Sequence, residues 1–249
     1  MNESTLLHEL INLSADREGS APALTYGAKT WSYAELDHAV RHFAGGLLAL
    51  GLGRMERVGI YLEKRFETVV SSFGTPAAGG VFVPINPLLK ADQVVYILRD
   101  CNVRVLVTSR ERLALLSGTL AACHDLRHVI VVDSDATVPN LDPVGVCSWA
   151  QLLENEQRHG HRLIDTDVLG ILYTSGSTGR PKGVVLSHRN MVAGAKSVSS
   201  YLQNHSGDTL LARCEKAGAH VGTICRQMYH EQGAVAVRRI QGILSLARK

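Results

Sequence analysis

A chain of 249 residues, 45% hydrophobic and 20% charged, has the composition of one large globular domain or two small ones. Its formal net charge of +3 is too small to indicate a nucleic-acid partner, and no apolar run approaches the roughly 20 residues of a membrane span. The opening MNESTLLHELINLSADREGS has neither the basic start nor the apolar stretch of a secretory signal, so the expectation is a soluble cytoplasmic protein. The five cysteines (Cys101, Cys123, Cys147, Cys214, Cys225) show no CxxC and no metal-ligand spacing, which predicts reduced thiols in packed positions.

In chain order, Leu24–Tyr26 and Thr30–Tyr33 flank Gly27-Ala28-Lys29 and read as a short hairpin. Ser32 followed by Glu35 fits a capping box, and the helix after it carries Leu36, Val40, Phe43, Leu47 and Leu50 on one stripe before stopping at Gly51. Strands are then expected at Arg57–Leu62, Val81–Ile85, Val103–Thr108 and His128–Val132, with helices at Phe66–Ala78, Ala91–Asp100 and Glu111–Cys123. Pro84 favours a sheet edge or a strand end for the second of these strands. Strands that are apolar nearly throughout, alternating with helices, imply an α/β fold: a mostly parallel sheet covered on both faces. No GxGxxG follows any of them, so a dinucleotide fold has no support. Glu63, Lys64 and Arg65 read as a solvated corner. Residues 134–166 look looser. Their His159 and His161 lack a third ligand at metal spacing and read as a linker. Further on, Asp167–Tyr173 and Gly183–Leu186 are strands, and a helix capped by Ser187 follows, with Met191, Ala195, Val198 and Leu202 on one face. His188, at that junction, could simply cap or pack, or equally take part in the site.

Between the last two strands lies YTSGSTGRPKG, residues 173–183, in which everything after Tyr173 is Gly, Ser, Thr, Pro, Arg or Lys. A polyanion such as a triphosphate needs many donors that can wrap it closely. Gly176, Gly179 and Gly183 let the backbone turn and present N–H groups, while Thr174, Ser175, Ser177 and Thr178 add hydroxyls. Lys182 supplies a full charge and Arg180 a second. Charge-assisted hydrogen bonds of this kind are worth ~1.5–3 kcal/mol each. The Walker A spacing fails, because counting from Gly176 puts Pro181 at the second glycine and Gly183 at the Ser/Thr position. A P-loop also runs from strand to helix, whereas this one joins strand to strand. By composition alone the segment is equally a polar surface hairpin.

The order of the residues goes further than their composition. YTSGSTGRPKG followed by VVLSHRN resembles the phosphate-binding signature of the adenylate-forming superfamily, and WSYAEL at 31–36 and AAGGVFVPINP at 77–87 resemble further family segments. The likeness runs from about Leu6 to Leu211; YLEKRFETVV and FVPINPLLK suggest the exosortase-associated acyl-CoA ligases. The resemblance implies the N-terminal part of the adenylate-forming fold, with ATP and Mg²⁺ as cofactors, CoA as acyl acceptor and a carboxylic acid as substrate. It also implies that Thr174, Ser175, Gly176, Ser177, Thr178, Gly179 and Lys182 hold the β- and γ-phosphates while the carboxylate attacks the α-phosphorus. The family's adenine and ribose motifs, catalytic carboxylate, hinge, adenylation lysine and CoA site map onto no residue here.

After Ala212 the composition changes. From Arg213 onward there are seven Lys/Arg against two Asp/Glu and no Pro, Asp, Asn, Phe or Trp. Two short amphipathic helices are expected, one with Val221, Ile224, Cys225 and Met228, the other with Val235, Val237, Ile240, Leu244 and Leu246. The segment resembles the end of an insertion-sequence transposase. Residues 1–212 thus read as a partial adenylation domain of doubtful turnover and 213–249 as an unrelated basic tail. Two alternatives stay open: a non-catalytic nucleotide-phosphate-binding module, and a nucleic-acid-associated protein acting through the tail.

Overall fold

The computed structural model describes residues 4–116, 118–133, 140–155, 160–174, 181–204, 208–212 and 235–238. After helix α1 (Glu9–Glu18), strands β1 (Pro22–Tyr26) and β2 (Lys29–Ser32) form the expected hairpin, turning at Gly27 with φ +60. Helix α2 (Tyr33–Ala49) starts as its sequence requires. The Ser32 hydroxyl accepts from the Glu35 amide at 3.2 Å, and the Glu35 carboxylate accepts from the Ser32 amide at 2.7 Å. Gly51, at φ +79, takes the left-handed turn that ends it.

Strands β3 (Arg57–Tyr61), β4 (Val81–Pro84), β5 (Val103–Thr108) and β6 (His128–Val131) alternate with helices α3 (Phe66–Ala77), α4 (Ala91–Asp100) and α5 (Arg110–Leu116). They are followed by β7 (Gly145–Ser148), α6 (Trp149–Leu153), β8 (Val168–Thr174), β9 (Lys182–Ser187) and α7 (His188–Tyr201). The main sheet has seven strands in the order β7-β6-β5-β3-β4-β8-β9, parallel except for the antiparallel β8/β9 pair. Pro84 closes β4 in the middle of this sheet, so a strand end, and not an edge, accommodates it.

Burial on both faces explains the continuous apolar runs. Val58, Ile60, Val105 and Val107 pack with Phe43 and Leu47 of α2 and Val70 of α3. Val83, Leu106, Val129 and Val131 pack on the opposite side with Ile97 and Leu98 of α4 and Leu113 of α5. Each such side chain contributes about 1.5–3 kcal/mol by leaving water.

Several expectations are corrected. The helix expected over Glu111–Cys123 breaks after Leu116, where the Thr119 hydroxyl donates to the Leu116 carbonyl at 2.9 Å; a 3₁₀ turn (Leu120–Ala122) follows. Gly118 adds no propensity to bridge the gap. The segment read as loose contains β7 and α6, the latter capped by Ser148 with Gln151. The corner at 63–65 is no solvated run: Lys64 is 6% exposed, Glu63 pairs with Arg112, and Arg65 pairs with Glu67 and Asp133. The Cys101 and Cys123 thiols are buried, Cys147 is half-buried, and all three are free.

The helical reading of the tail also changes where it can be followed. Val235 and Val237 lie in a strand, β11 (Val235–Arg238), which pairs antiparallel with β10 (Thr209–Ala212) and β1 in a second, four-stranded sheet. A Val-Ala-Val-Arg run has period two as readily as helical spacing, and an available sheet edge decides between them. Val221, Ile224, Cys225, Met228, Ile240, Leu244 and Leu246 lie outside the described residues, as does His159. His161 instead places Nε2 3.1 Å from the Leu52 carbonyl. No described helix is long and apolar enough to cross a membrane.

Candidate phosphate-binding site

Strands β8 and β9 form a ladder that runs from Val168 opposite Ser187 to Thr174 opposite Lys182. Because β8 lies parallel to β4, the connection between Thr174 and Lys182 emerges at the carboxyl end of the parallel strands, where open α/β sheets bind their ligands. Ser175, Gly176, Ser177, Thr178 and Gly179 of that connection lie outside the described residues. Its two ends are described. Thr174 and Lys182 are register partners at the mouth, with the Thr174 hydroxyl 3.5 Å from the Lys182 carbonyl. Lys182 is exposed, and among the described residues no carboxylate pairs with it. An exposed lysine and a threonine paired at the opening of a hairpin offer charge and a donor to an anion.

The stems of the hairpin are held from α4. The Tyr173 hydroxyl donates to the Asp100 carboxylate and lies 3.1 Å from Cys101 Sγ. Burial raises the pKa of the Tyr173 phenol, and the Asp100 contact raises it further, so the hydroxyl keeps its proton. Burial likewise pushes the Cys101 thiol up. On the returning strand the Tyr96 hydroxyl donates to the Pro181 carbonyl at 3.4 Å. Gly183 faces Tyr173 in the ladder, and a Cβ there would stand 2.7 Å from Ile171 Cγ2 and 3.4 Å from Tyr173 Cζ. Tyr96 and Asp100 carry no motif of their own, and nothing local in the sequence marks them.

His188 is not part of this mouth. It follows the far end of β9, roughly 17 Å along the strand at ~3.3 Å per residue. The side chain is 1% exposed, and its Nδ1 accepts from the Leu7 amide at 3.0 Å, which ties α7 to the N-terminal segment. Burial, reinforced by the neighbouring His8, lowers its pKa to about 4. Packing is therefore its role, and Ser187 is the cap, accepting from the Asn190 amide at 3.2 Å. A cleft of about 580 Å³ beside α4 is lined by Tyr96, Asp100 and residues 122–125, with neither Thr174 nor Lys182 in its wall.

The AMP-binding enzyme profile matches residues 12–215 of the chain. Tyrocidine synthase 2 of Brevibacillus parabrevis is 31% identical over 185 residues, covering 74% of this chain and 5% of that protein. Surfactin synthase subunit 1 of Bacillus subtilis is 29% identical over 187 residues, covering 75% of this chain and 5% of the relative. The chain thus spans about one twentieth of the length of these relatives. Among solved structures, Mycobacterium smegmatis MbtA superposes with a TM-score of 0.73 at 23% identity, covering 83% of this chain and 38% of the other. The anthranilate CoA ligase AuaEII, in complex with anthranoyl-AMP, superposes with 0.70 at 24% identity, covering 78% and 37%. These two likenesses concern the fold, the N-terminal α/β architecture described above. With the profile spanning most of its length, the chain belongs to the AMP-binding enzyme family.

Proposed function

We propose that the segment from Thr174 to Lys182 wraps the β- and γ-phosphates of ATP, and that the chain serves the activation of a carboxylic acid. The observation that carries this reading is the pairing of Thr174 with an exposed Lys182 that has no carboxylate partner among the described residues, at the carboxyl end of the parallel strands. In the reaction proposed, a carboxylate oxygen attacks the α-phosphorus, the bond to the β-phosphate oxygen breaks, and pyrophosphate leaves with the charge that Lys182 faces. Holding the leaving group in line and neutralising it are the contributions open to these residues. Ser175, Gly176, Ser177, Thr178 and Gly179 would complete the wrap.

Among the described residues no group of three His, Cys, Asp or Glu is placed to hold a metal ion. Mg²⁺ would come to the site with the nucleotide, whose phosphates supply most of its ligands. The finer assignment is an AMP-forming acyl-CoA ligase of the exosortase-associated type, with CoA taking the acyl group in a second step. It rests on YLEKRFETVV and FVPINPLLK, and no residue of this chain is assigned to CoA. Membership of the AMP-binding enzyme family supports activation of an acid in general. The same reading assigns residues 1–212 to the adenylation unit and 213–249 to a basic segment of different composition, whose strand β11 nonetheless pairs with β1 and β10.

Acid-dependent ATP–pyrophosphate exchange by the purified chain tests the reading, with Lys182→Ala as the comparison. Exchange would support a working adenylation site, although little turnover is expected of a chain onto which the family's catalytic residues do not map, and the substitution should weaken ATP binding by about tenfold or more, the equivalent of one charge-assisted bond. ATP binding without exchange would favour the non-catalytic phosphate-binding module, and unchanged affinity in a folded Lys182→Ala variant would remove the site. Salt-sensitive retention on DNA would instead favour the nucleic-acid reading.

A further inference from the structure

We infer that Asp100 is a positioning residue for the phosphate loop: through Tyr173 it holds the outgoing stem of the β8/β9 hairpin, while Tyr96 on the same helix holds the returning one, so that the loop mouth is set before any nucleotide arrives. The inference rests on the phosphate-binding reading of that loop and names what holds it.

The first and last residues of YTSGSTGRPKG, Tyr173 and Gly183, are Cα partners across the ladder. Apart from any part in wrapping a phosphate, each has a physical reason to be there. A side chain at 183 would drive its Cβ to 2.7 Å from Ile171 Cγ2 and 3.4 Å from the Tyr173 ring. With glycine there, the ring lies over the returning strand and its hydroxyl reaches α4, donating to Asp100. The phenol has one proton to give, so the Cys101 thiol at 3.1 Å is the donor in their contact and completes the oxygen's hydrogen bonding. One turn earlier on the same helix, Tyr96 donates to the carbonyl of Pro181, the residue before Lys182. Asp100 and Tyr96 stand four apart, on one face of α4, and hold the outgoing and returning stems respectively. Helix α4 is itself anchored through Val94, Ile97 and Leu98 in the second core cluster, so the lock is fastened to a rigid element.

A glycine-rich loop loses conformational freedom when it closes on an anion, and that loss subtracts from affinity. Fixing both stems at one separation removes part of the loss in advance, and it holds Lys182 near the threonine opposite it. Breaking the lock should therefore weaken nucleotide binding more than it weakens the fold.

The test uses the full 249-residue chain. Calorimetric titration with Mg-ATP is compared for wild type, Tyr173→Phe, Asp100→Ala, Asp100→Asn and the Tyr173→Phe/Asp100→Ala double variant. Amide exchange is followed at 173–174 and 182–184 in the absence of nucleotide. Tyr173→Phe and Asp100→Ala should each weaken binding about fivefold, the value of one lost hydrogen bond. The double variant should be no weaker than either single one, and Asp100→Asn, which keeps a carbonyl acceptor, should recover most of the affinity. Stem amides should exchange faster, while Tm falls by no more than ~4 °C. Unchanged affinity in Tyr173→Phe, additive losses in the double variant, or an Asp100→Asn as weak as Asp100→Ala would overturn the inference. If the wild-type chain binds no ATP, the nucleotide reading fails on its own. Exchange then decides the lock: faster stem amides in Tyr173→Phe sustain it, and unchanged ones end it.

Discussion

Gly183 and His188 show how much a single residue's role depends on its neighbours. Gly183 has an ordinary place in an edge strand, and its requirement comes from Ile171 and Tyr173 beside it. Replacing it with Ala forces one of them aside and should cost on the order of 1–3 kcal/mol in a denaturant titration, without any change of charge. His188 has a folded pKa of about 4 against an ordinary value near 6.5, with burial as the main cause and His8 adding to it. The carboxylates of Asp167, Glu9 and Asp165 oppose the shift without cancelling it. The neutral ring is the folded form, accepting from the Leu7 amide, so the unfolded chain takes up a proton first as the pH falls. This contribution is whole above pH ~6.5 and is lost between ~6.5 and ~4, to the extent of about 3 kcal/mol. His188→Gln should flatten the stability profile over that window, as followed by urea midpoints at successive pH values. A profile as steep as wild type would show that the titration belongs to another group.

At the scale of elements, what can be read from sequence is what is specified by contiguous residues. Helix α2 is legible because its cap, its stripe and its stop all lie within the stretch from Ser32 to Gly51. Ser32→Ala should lower stability by about 1 kcal/mol, measured by thermal or chemical unfolding, since it removes one side of the capping box. Strands β3, β5 and β6 are legible for a similar reason: a strand buried on both faces has to be apolar at nearly every position. The short elements β7 and α6 are not legible, because four or five residues carry too little periodicity to stand out. Strand β11 is a sharper case. Its residues fit either period, and pairing with β1 and β10, far away in the chain, selects the strand. The candidate site divides the same way. Lys182 and Thr174 are marked by their motif, while Asp100 and Tyr96 come from a helix about eighty residues earlier and reach the loop only through the sheet order.

Across the whole molecule, the seven-stranded sheet ends at β9, and among the described residues no strand pairs with its outer side. Val185 is 56% exposed on that strand, and Tyr201, at the end of α7, is 86% exposed. An apolar strand edge in water invites pairing with another chain. Val185→Lys should reduce concentration-dependent association in sedimentation velocity by placing a charge on the edge, with little effect on Tm. Equal association in the two proteins would locate the sticky surface elsewhere.

Two kinds of information are thus separable in this protein. Contiguous residues are enough for the α/β class, for the capped helices and for a loop suited to phosphate, because burial period, cap geometry and donor density are properties of a few neighbouring positions. Strand order, the antiparallel turn of β9 and the grip of α4 on the loop stems arise from contacts between distant segments. Their energies appear only when loop closure brings those segments together, and no local pattern in a sequence records that event.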